Sequence, residues 1–226
     1  MALPEKAVNN ADSKEILRLE ALSKNFVGLR AVSNFALTLG QGELKGLIGP
    51  NGAGKSTVFN LISGFYKPNS GRVFMDGEDI TGNRPNVIAN KGLARTFQTV
   101  KLLEGKSVLE TMMTAFFLTY EYNVLDAIFQ TKRYKKQEKA LEEKAIHFLT
   151  KLGVHHLKDE ISNELPYGFQ RKVSIAGTLC LNPKVLLLDE PMAGLTHSEK
   201  SELIDMILGL KEEFHLSIIL VEHDMK

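Results

Sequence analysis

The chain has no tryptophan, one cysteine among 226 residues, and no surplus of charge of either sign, with 28 Lys and Arg set against 27 Asp and Glu. Each scarcity excludes something. A lone Cys180 closes no internal disulfide, and its apolar neighbours fit a buried, inert thiol in a reducing compartment. A formal net charge of +1 supplies no basic field of the kind that marks a dedicated nucleic-acid binder, so no nucleic-acid partner is expected. No apolar run reaches the roughly 18 residues that a spanning helix needs. Residues 1–14 are polar, without the apolar stretch and small-residue cleavage site of a signal peptide, and read as a disordered lead. His147, His155 and His156 share no metal-ligand spacing with cysteines or carboxylates, so they read as surface residues and no zinc is expected. The basic run Lys132, Arg133, Lys135, Lys136 and Lys139 reads as a solvated helix face; contact with anionic lipid headgroups is the sharper alternative.

What is present is concentrated in Gly49-Pro50-Asn51-Gly52-Ala53-Gly54-Lys55-Ser56-Thr57, which fits the phosphate-binding pattern G-x-x-x-x-G-K-[ST]. Context supports it. Glu43 to Ile48 reads as a short strand before the loop, and Val58 to Ile62 continues with helical apolar spacing after it. Glycines allow backbone N–H groups to turn inward around phosphates, and the following helix adds free donors and the positive end of its dipole. Lys55 supplies a point charge for the β- and γ-phosphates, and Ser56 is placed to offer its hydroxyl to Mg²⁺. These residues predict a nucleoside triphosphate site.

At this length one fold unit is expected. Ile16 to Glu20 and Ala31 to Leu39 alternate like antiparallel strands ahead of the loop, and Gly71 to Gly77 reads as a strand ending in an Asp-Gly turn. Asn86 to Lys91 predicts a short helix closed by Gly92. From Val108 to Leu152 helical periodicity dominates, and Phe116, Phe117, Tyr120 and Phe129 are expected in the core of that helical part, or in a groove for a membrane partner. Strand signals return at Val185 to Leu188 and at Leu216 to Val221. Between them Ser198 to Phe214 is amphipathic, with Leu203, Ile204, Ile207, Leu208 and Leu210 on its apolar side. Continuous apolar runs separated by a helix predict parallel strands buried on both faces. The fold expected is therefore α/β, a P-loop NTPase core with a mixed, mainly parallel sheet, an N-terminal antiparallel β region and an inserted α-helical subdomain. The division predicted is 15–97 with 176–226 as the core and 98–175 as the helical part.

Val185 to Glu190 delivers Asp189 at the carboxyl end of a buried strand, where ligands of open α/β sheets collect. Asp189 is expected to hold Mg²⁺ opposite Ser56, and Glu190 to orient or deprotonate the attacking water.

With these residues the chain resembles the ATP-binding subunits of ABC transporters, over nearly its whole length. Thr96-Phe97-Gln98 looks like the family's Q-loop, which implies that Gln98 contacts Mg²⁺. Leu165-Pro166-Tyr167-Gly168-Phe169-Gln170-Arg171 stands where the family has L-S-G-G-Q-Q-R. That implies that Pro166, Tyr167, Gly168, Phe169 and Gln170 cap the γ-phosphate held by a partner subunit. Ala193 to Thr196 corresponds to the D-loop, His223 to the switch histidine, and Phe26 to the aromatic that stacks on adenine. Gly28-Leu29-Arg30-Ala31-Val32, Leu61-Ile62-Ser63-Gly64-Phe65, Gly92 to Gln98 and Val221 to Lys226 are similar to the branched-chain amino acid importer subunits in particular.

Three departures stand out. Pro166 has no hydroxyl where the signature has serine, Phe169 replaces a glutamine, and Thr196 holds the D-loop aspartate position. Because the family continues past the switch histidine, a shortened chain is expected, in which a last strand beginning near Leu216 lacks neighbours and leaves an exposed edge or a poorly covered core. The resemblance implies an ATP-hydrolysing importer subunit with ATP and Mg²⁺ as cofactors. It would lie peripherally at the cytoplasmic face of the membrane. Its implied partners are a second ATP-binding subunit, identical or paralogous, two transmembrane permease subunits and, indirectly, an extracytoplasmic solute-binding protein. The alternative is an ATP-binding regulatory module or soluble ABC-type switch with weak hydrolysis.

Overall fold

The structure, a computed structural model, describes residues 14–97, 102–116 and 124–222. Strands there form two separate sheets of four, one antiparallel in the order β2-β1-β4-β5 and one parallel in the order β3-β8-β7-β6. β1 (Glu15–Phe26) and β2 (Leu29–Gly40) make a long hairpin whose tip is Val27-Gly28. β4 (Ser70–Met75) pairs with β1, then turns through Asp76-Gly77, both at positive φ, into β5 (Glu78–Asp79). An Asp-Gly pair suits that turn because both central residues must reach the left-handed region.

The parallel sheet consists of β3 (Leu44–Ile48), β6 (Leu93–Arg95), β7 (Val185–Asp189) and β8 (Ser217–Glu222). Every residue of β7 is buried, as the uninterrupted apolar run predicted. Leu186 and Leu188 enter one hydrophobic cluster and Val185 and Leu187 enter another, so successive side chains feed opposite faces. The first cluster joins the sheet to helices α3 (Val108–Ala115), α5 (Lys132–Lys151), α6 (Tyr167–Leu179) and α7 (His197–Phe214). The second joins it to α1 (Lys55–Ile62), α2 (Pro85–Asn90) and the antiparallel sheet. A short helix, α4 (Val124–Ile128), lies between α3 and α5 in sequence. No described helix is long and apolar enough to cross a membrane.

Three expectations need correction. β8 is not an edge strand: β3 and β7 flank it, and Ser217, Ile218, Ile219 and Val221 are buried. The P-loop strand β3 takes the outer place instead, because β8 inserts between it and β7. Phe129 is not core. It is 74% exposed just past α4, whereas Phe116 is buried against Phe148; Phe117 and Tyr120 lie outside the described residues. On α7, Leu203, Ile207 and Leu210 are buried, while Ile204 and Leu208 lie on the exposed flank. The apolar stripe is thus narrower than its pattern suggested. Lys132, Arg133, Lys135, Lys136 and Lys139 all face solvent. Cys180 is buried, and burial pushes its thiol pKa up to about 12, which keeps it protonated and unreactive. α6 runs without interruption across residues 175 and 176.

Candidate nucleotide site

β3 ends at Ile48, and the chain wraps through Gly49 to Gly54 before α1 starts at Lys55. The wrap needs glycine at Gly54 in particular. Its φ is +87°, and a Cβ there would meet the Ala31 carbonyl oxygen at 2.4 Å, so a side chain is excluded by strain and by contact. α1 carries no acidic residue in its first turn, which leaves its positive end uncompensated. Lys55 is nearly buried, and its Nζ donates to the carbonyls of Gly49 and Pro50, the latter at 3.0 Å. That ammonium sits inside the loop, where phosphate oxygens would compete with neutral carbonyls for its donors. Asn51, Gly52, Ala53 and Ser56 are exposed and Thr57 is half-buried, so the loop surface is open to a ligand.

Asp189 closes β7 at the same carboxyl end of the parallel sheet that carries this loop. Its Oδ2 accepts from Arg95 Nη2 at 2.8 Å in a pair whose side chains are 8% and 4% exposed. Arg95 also donates to Asn60 Oδ1 at 2.7 Å and to Ser63 Oγ at 3.1 Å, both on the P-loop helix or its cap. The backbone N–H of Asp189 is taken by the Thr96 hydroxyl. What remains is Oδ1, buried and without a hydrogen-bond partner among the described residues. An orphaned carboxylate oxygen is a hard donor of the kind Mg²⁺ prefers, so Asp189 fits the ion its position implies. Neither Arg95 nor its partners Asn60 and Ser63 were assigned by sequence reasoning. The signal available was only an arginine three residues before Gln98.

Glu190 follows in an unusual backbone state, with φ +47° and 4% exposure. Its N–H donates to Val221 O at 3.0 Å, and its own carbonyl accepts from Ala193 N at 3.1 Å. Non-glycine residues in this region are strained by on the order of 1–3 kcal/mol and cluster at functional sites. Phe26 stands at the hairpin tip, 39% exposed and edge-on to Tyr66 with ring centroids 5.3 Å apart. It is a surface aromatic, available to a flat ring, and Tyr66 is a neighbour the sequence did not point out. Lys24 Nζ lies 5.4 Å from the Phe26 ring centre. Gln98 and His223 lie outside the described residues.

The order of these parts decides the family. The chain matches the family described as ABC transporter over residues 32–193.

This chain belongs to the ABC transporter family.

Curated relatives of the cassette include the high-affinity branched-chain amino acid transport ATP-binding protein BraF of Pseudomonas aeruginosa, 37% identical over 95% of this chain and 84% of its own length. LivG of Escherichia coli, described by the same transport role, is 36% identical over the same shares. Among solved structures, an ATP-binding cassette of an ABC transporter in its ADP conformation superposes with a TM-score of 0.80 at 34% identity, covering 95% of this chain and 83% of that one.

In the cassette the segment 166–170 opens α6. Pro166 is the N-cap, and Tyr167 is the first helical residue. Proline fits because its absent N–H is not needed there. Tyr167 is 44% exposed. Phe169 and Gln170 turn inward: Phe169 packs on His156, and the Gln170 amide donates to the carbonyls of Asn163 and Leu165. Pro166, Tyr167 and the edge of Gly168 are therefore what this segment presents outward. Thr196 caps α7, its hydroxyl and the Glu199 carboxylate forming a reciprocal box. Thr196, at the position expected to hold aspartate, thus serves as a helix cap.

Proposed function

We propose that this chain is the ATP-hydrolysing subunit of a solute importer, most simply one for branched-chain amino acids, and that it works as a head-to-tail dimer on a pair of membrane permeases. The observation that carries this is the convergence at the carboxyl end of the parallel sheet. There an N-terminally open α1, a buried lysine and a buried carboxylate with one orphaned oxygen meet a glutamate in a strained backbone. The relatives' roles as branched-chain amino acid transport ATP-binding proteins support the solute class.

Residues 49–57 would hold the triphosphate, with Lys55 exchanging its carbonyl partners for phosphate oxygens. Phe26 would stack on adenine. Asp189 and Ser56 would hold Mg²⁺, together with Gln98; the ion supplies charge that offsets the phosphates during transfer. Glu190 would orient and deprotonate the attacking water, and His223 would contact the γ-phosphate. Pro166 to Gln170 would complete a partner's site, mainly through the outward face of Pro166, Tyr167 and Gly168. We take the core as residues 15–97 and 176–226 and the helical part as 98–175. A groove of about 310 Å³ between α3 and α6, lined by Leu102, Leu103, Thr114, Val173 and Gly177, suits a permease segment. The chain would then lie at the cytoplasmic face of the membrane, with the solute-binding protein on the far side. Pro166 and Phe169 favour a second reading, an ATP-binding module with little turnover.

Glu190→Gln tests the assignment. The amide cannot take a proton, so steady-state phosphate release should fall at least about a hundredfold, within the usual range for general-base loss. ATP affinity measured by calorimetry should hold, because the loop and Asp189 are untouched. Wild-type release from the variant would remove Glu190 from the reaction. Negligible release from the wild-type chain assembled with its permeases would favour the binding module.

A further inference from the structure

Arg171 is the largest side chain in the fully buried set, 1% exposed, and no part of the phosphate site described above uses it. Its guanidinium reaches three separate segments. Nη1 donates to the Phe97 carbonyl at 3.2 Å. Nη2 donates to the Tyr167 hydroxyl at 2.9 Å and to the Glu190 carbonyl at 3.1 Å. The guanidinium carbon also lies 5.4 Å from the Tyr167 ring centre. All three acceptors are formally neutral, so this buried cation gains less than a carboxylate partner would return for its lost hydration. A residue needed only to fill space could be apolar at lower cost.

The three acceptors matter because of where they lie. Phe97 immediately precedes Gln98. Tyr167 is the exposed first residue of α6, on the face that a partner's nucleotide would meet. Glu190 holds a left-handed backbone conformation, and its carbonyl accepts from both Arg171 and Ala193. Rotating that peptide back to a relaxed geometry would break both bonds and re-aim the Glu190 side chain.

We propose that Arg171 is a positioning residue that couples the general base Glu190 to the segment its own subunit lends to the partner's site. Contact on Tyr167 then orders Glu190 through one planar fork, and each half of the dimer senses whether the other is loaded. The proposal rests on the reading of Glu190 as base and of residues 166–170 as the segment given to the partner.

The test is steady-state phosphate release across ATP concentration on the full chain, at protein concentrations that populate the dimer. Calorimetry of ATP binding and thermal unfolding are run alongside. Arg171→Met should lower kcat about tenfold, near 1.4 kcal/mol in barrier, while ATP affinity of the monomer changes less than about twofold. The Hill coefficient should fall from near 2, the number of coupled sites, towards 1. Arg171→Lys should not rescue, since an ammonium keeps the charge but cannot span three acceptors in a fork. Tyr167→Phe removes a single oxygen and should lower the Hill coefficient without moving the unfolding temperature. Wild-type cooperativity in Arg171→Lys, or in Tyr167→Phe if the Arg171 variants do not fold, would overturn the coupling. Full turnover in Glu190→Gln would instead overturn the base assignment beneath it, whatever Arg171 does.

Discussion

Phe26 is an exposed aromatic on which the proposed stacking of adenine can be tested. Its ring is held edge-on by Tyr66 and flanked by Lys24, so its orientation is set before any ligand arrives. Phe26→Ala should weaken ATP by about 1–3 kcal/mol, the range for one base on an aromatic ring, with GTP weakened about equally because a ring face reads no base edge. Competition between the two nucleotides for a fluorescent analogue measures both. Thermal unfolding should move little, since the side chain is 39% exposed; a large drop with unchanged affinity would return Phe26 to a structural role. Arg95 works differently. It spends three donor contacts on Asp189, Asn60 and Ser63, tying the strand before Gln98 to the P-loop helix and leaving one oxygen of Asp189 for a ligand.

Helix ends are where this chain's local chemistry is most explicit. α3 and α7 each begin with a reciprocal box, Ser107 with Glu110 and Thr196 with Glu199. Both glutamates are held below the usual carboxylate range, Glu199 chiefly by the hydrogen bond from the Thr196 hydroxyl and Glu110 chiefly by the N–H of Ser107. A carboxylate depressed in the folded state contributes stability above its unfolded pKa, near 4.3, and loses it as pH falls through the folded value. Loss of the cap in Thr196→Ala should cost about 1 kcal/mol of stability at neutral pH. Its deficit relative to wild type should narrow as pH is lowered below about 4. Denaturant titrations at several pH values check this. A deficit that stays constant or grows in acid would show that the box is not the source.

At the scale of the whole molecule, the proposed dimer can be tested at Gly168. A Cβ on Gly168 would lie 3.5 Å from Leu195 and from a Glu199 carboxylate oxygen, ordinary contacts that admit a side chain but place a second carboxylate beside the first. In a Glu190→Gln background, ATP should drive the chain into dimers, and Gly168→Asp should abolish them by setting a negative charge against phosphate. Adding Glu199→Gln removes the repulsion inside the subunit while keeping the cap, because glutamine also closes such a box. Dimers should remain absent in that triple variant, with ATP binding to the monomer intact. Light scattering with ATP that still shows dimers would exclude residues 166–170 from the shared site.

Local signals decided the P-loop, the Asp-Gly turn after β4, the start of α7 and the buried character of β7, because each depends on neighbours within a few residues. Glycine spacing, capping pairs and apolar runs act at that range and can be read directly from the chain. Leu93 to Arg95 carries too little periodicity over three residues to mark a strand, and pairing with β7 supplies what the local sequence lacks. The interior place of β8 and the exposure of Phe129 are likewise not legible in the sequence. They follow from which surfaces meet across long stretches of sequence. The same holds for Arg95 and Arg171. An arginine's identity says nothing of whether its charge lies in water, and only the packed structure put these two guanidiniums against Asp189 and the Glu190 carbonyl, 94 and 19 residues away.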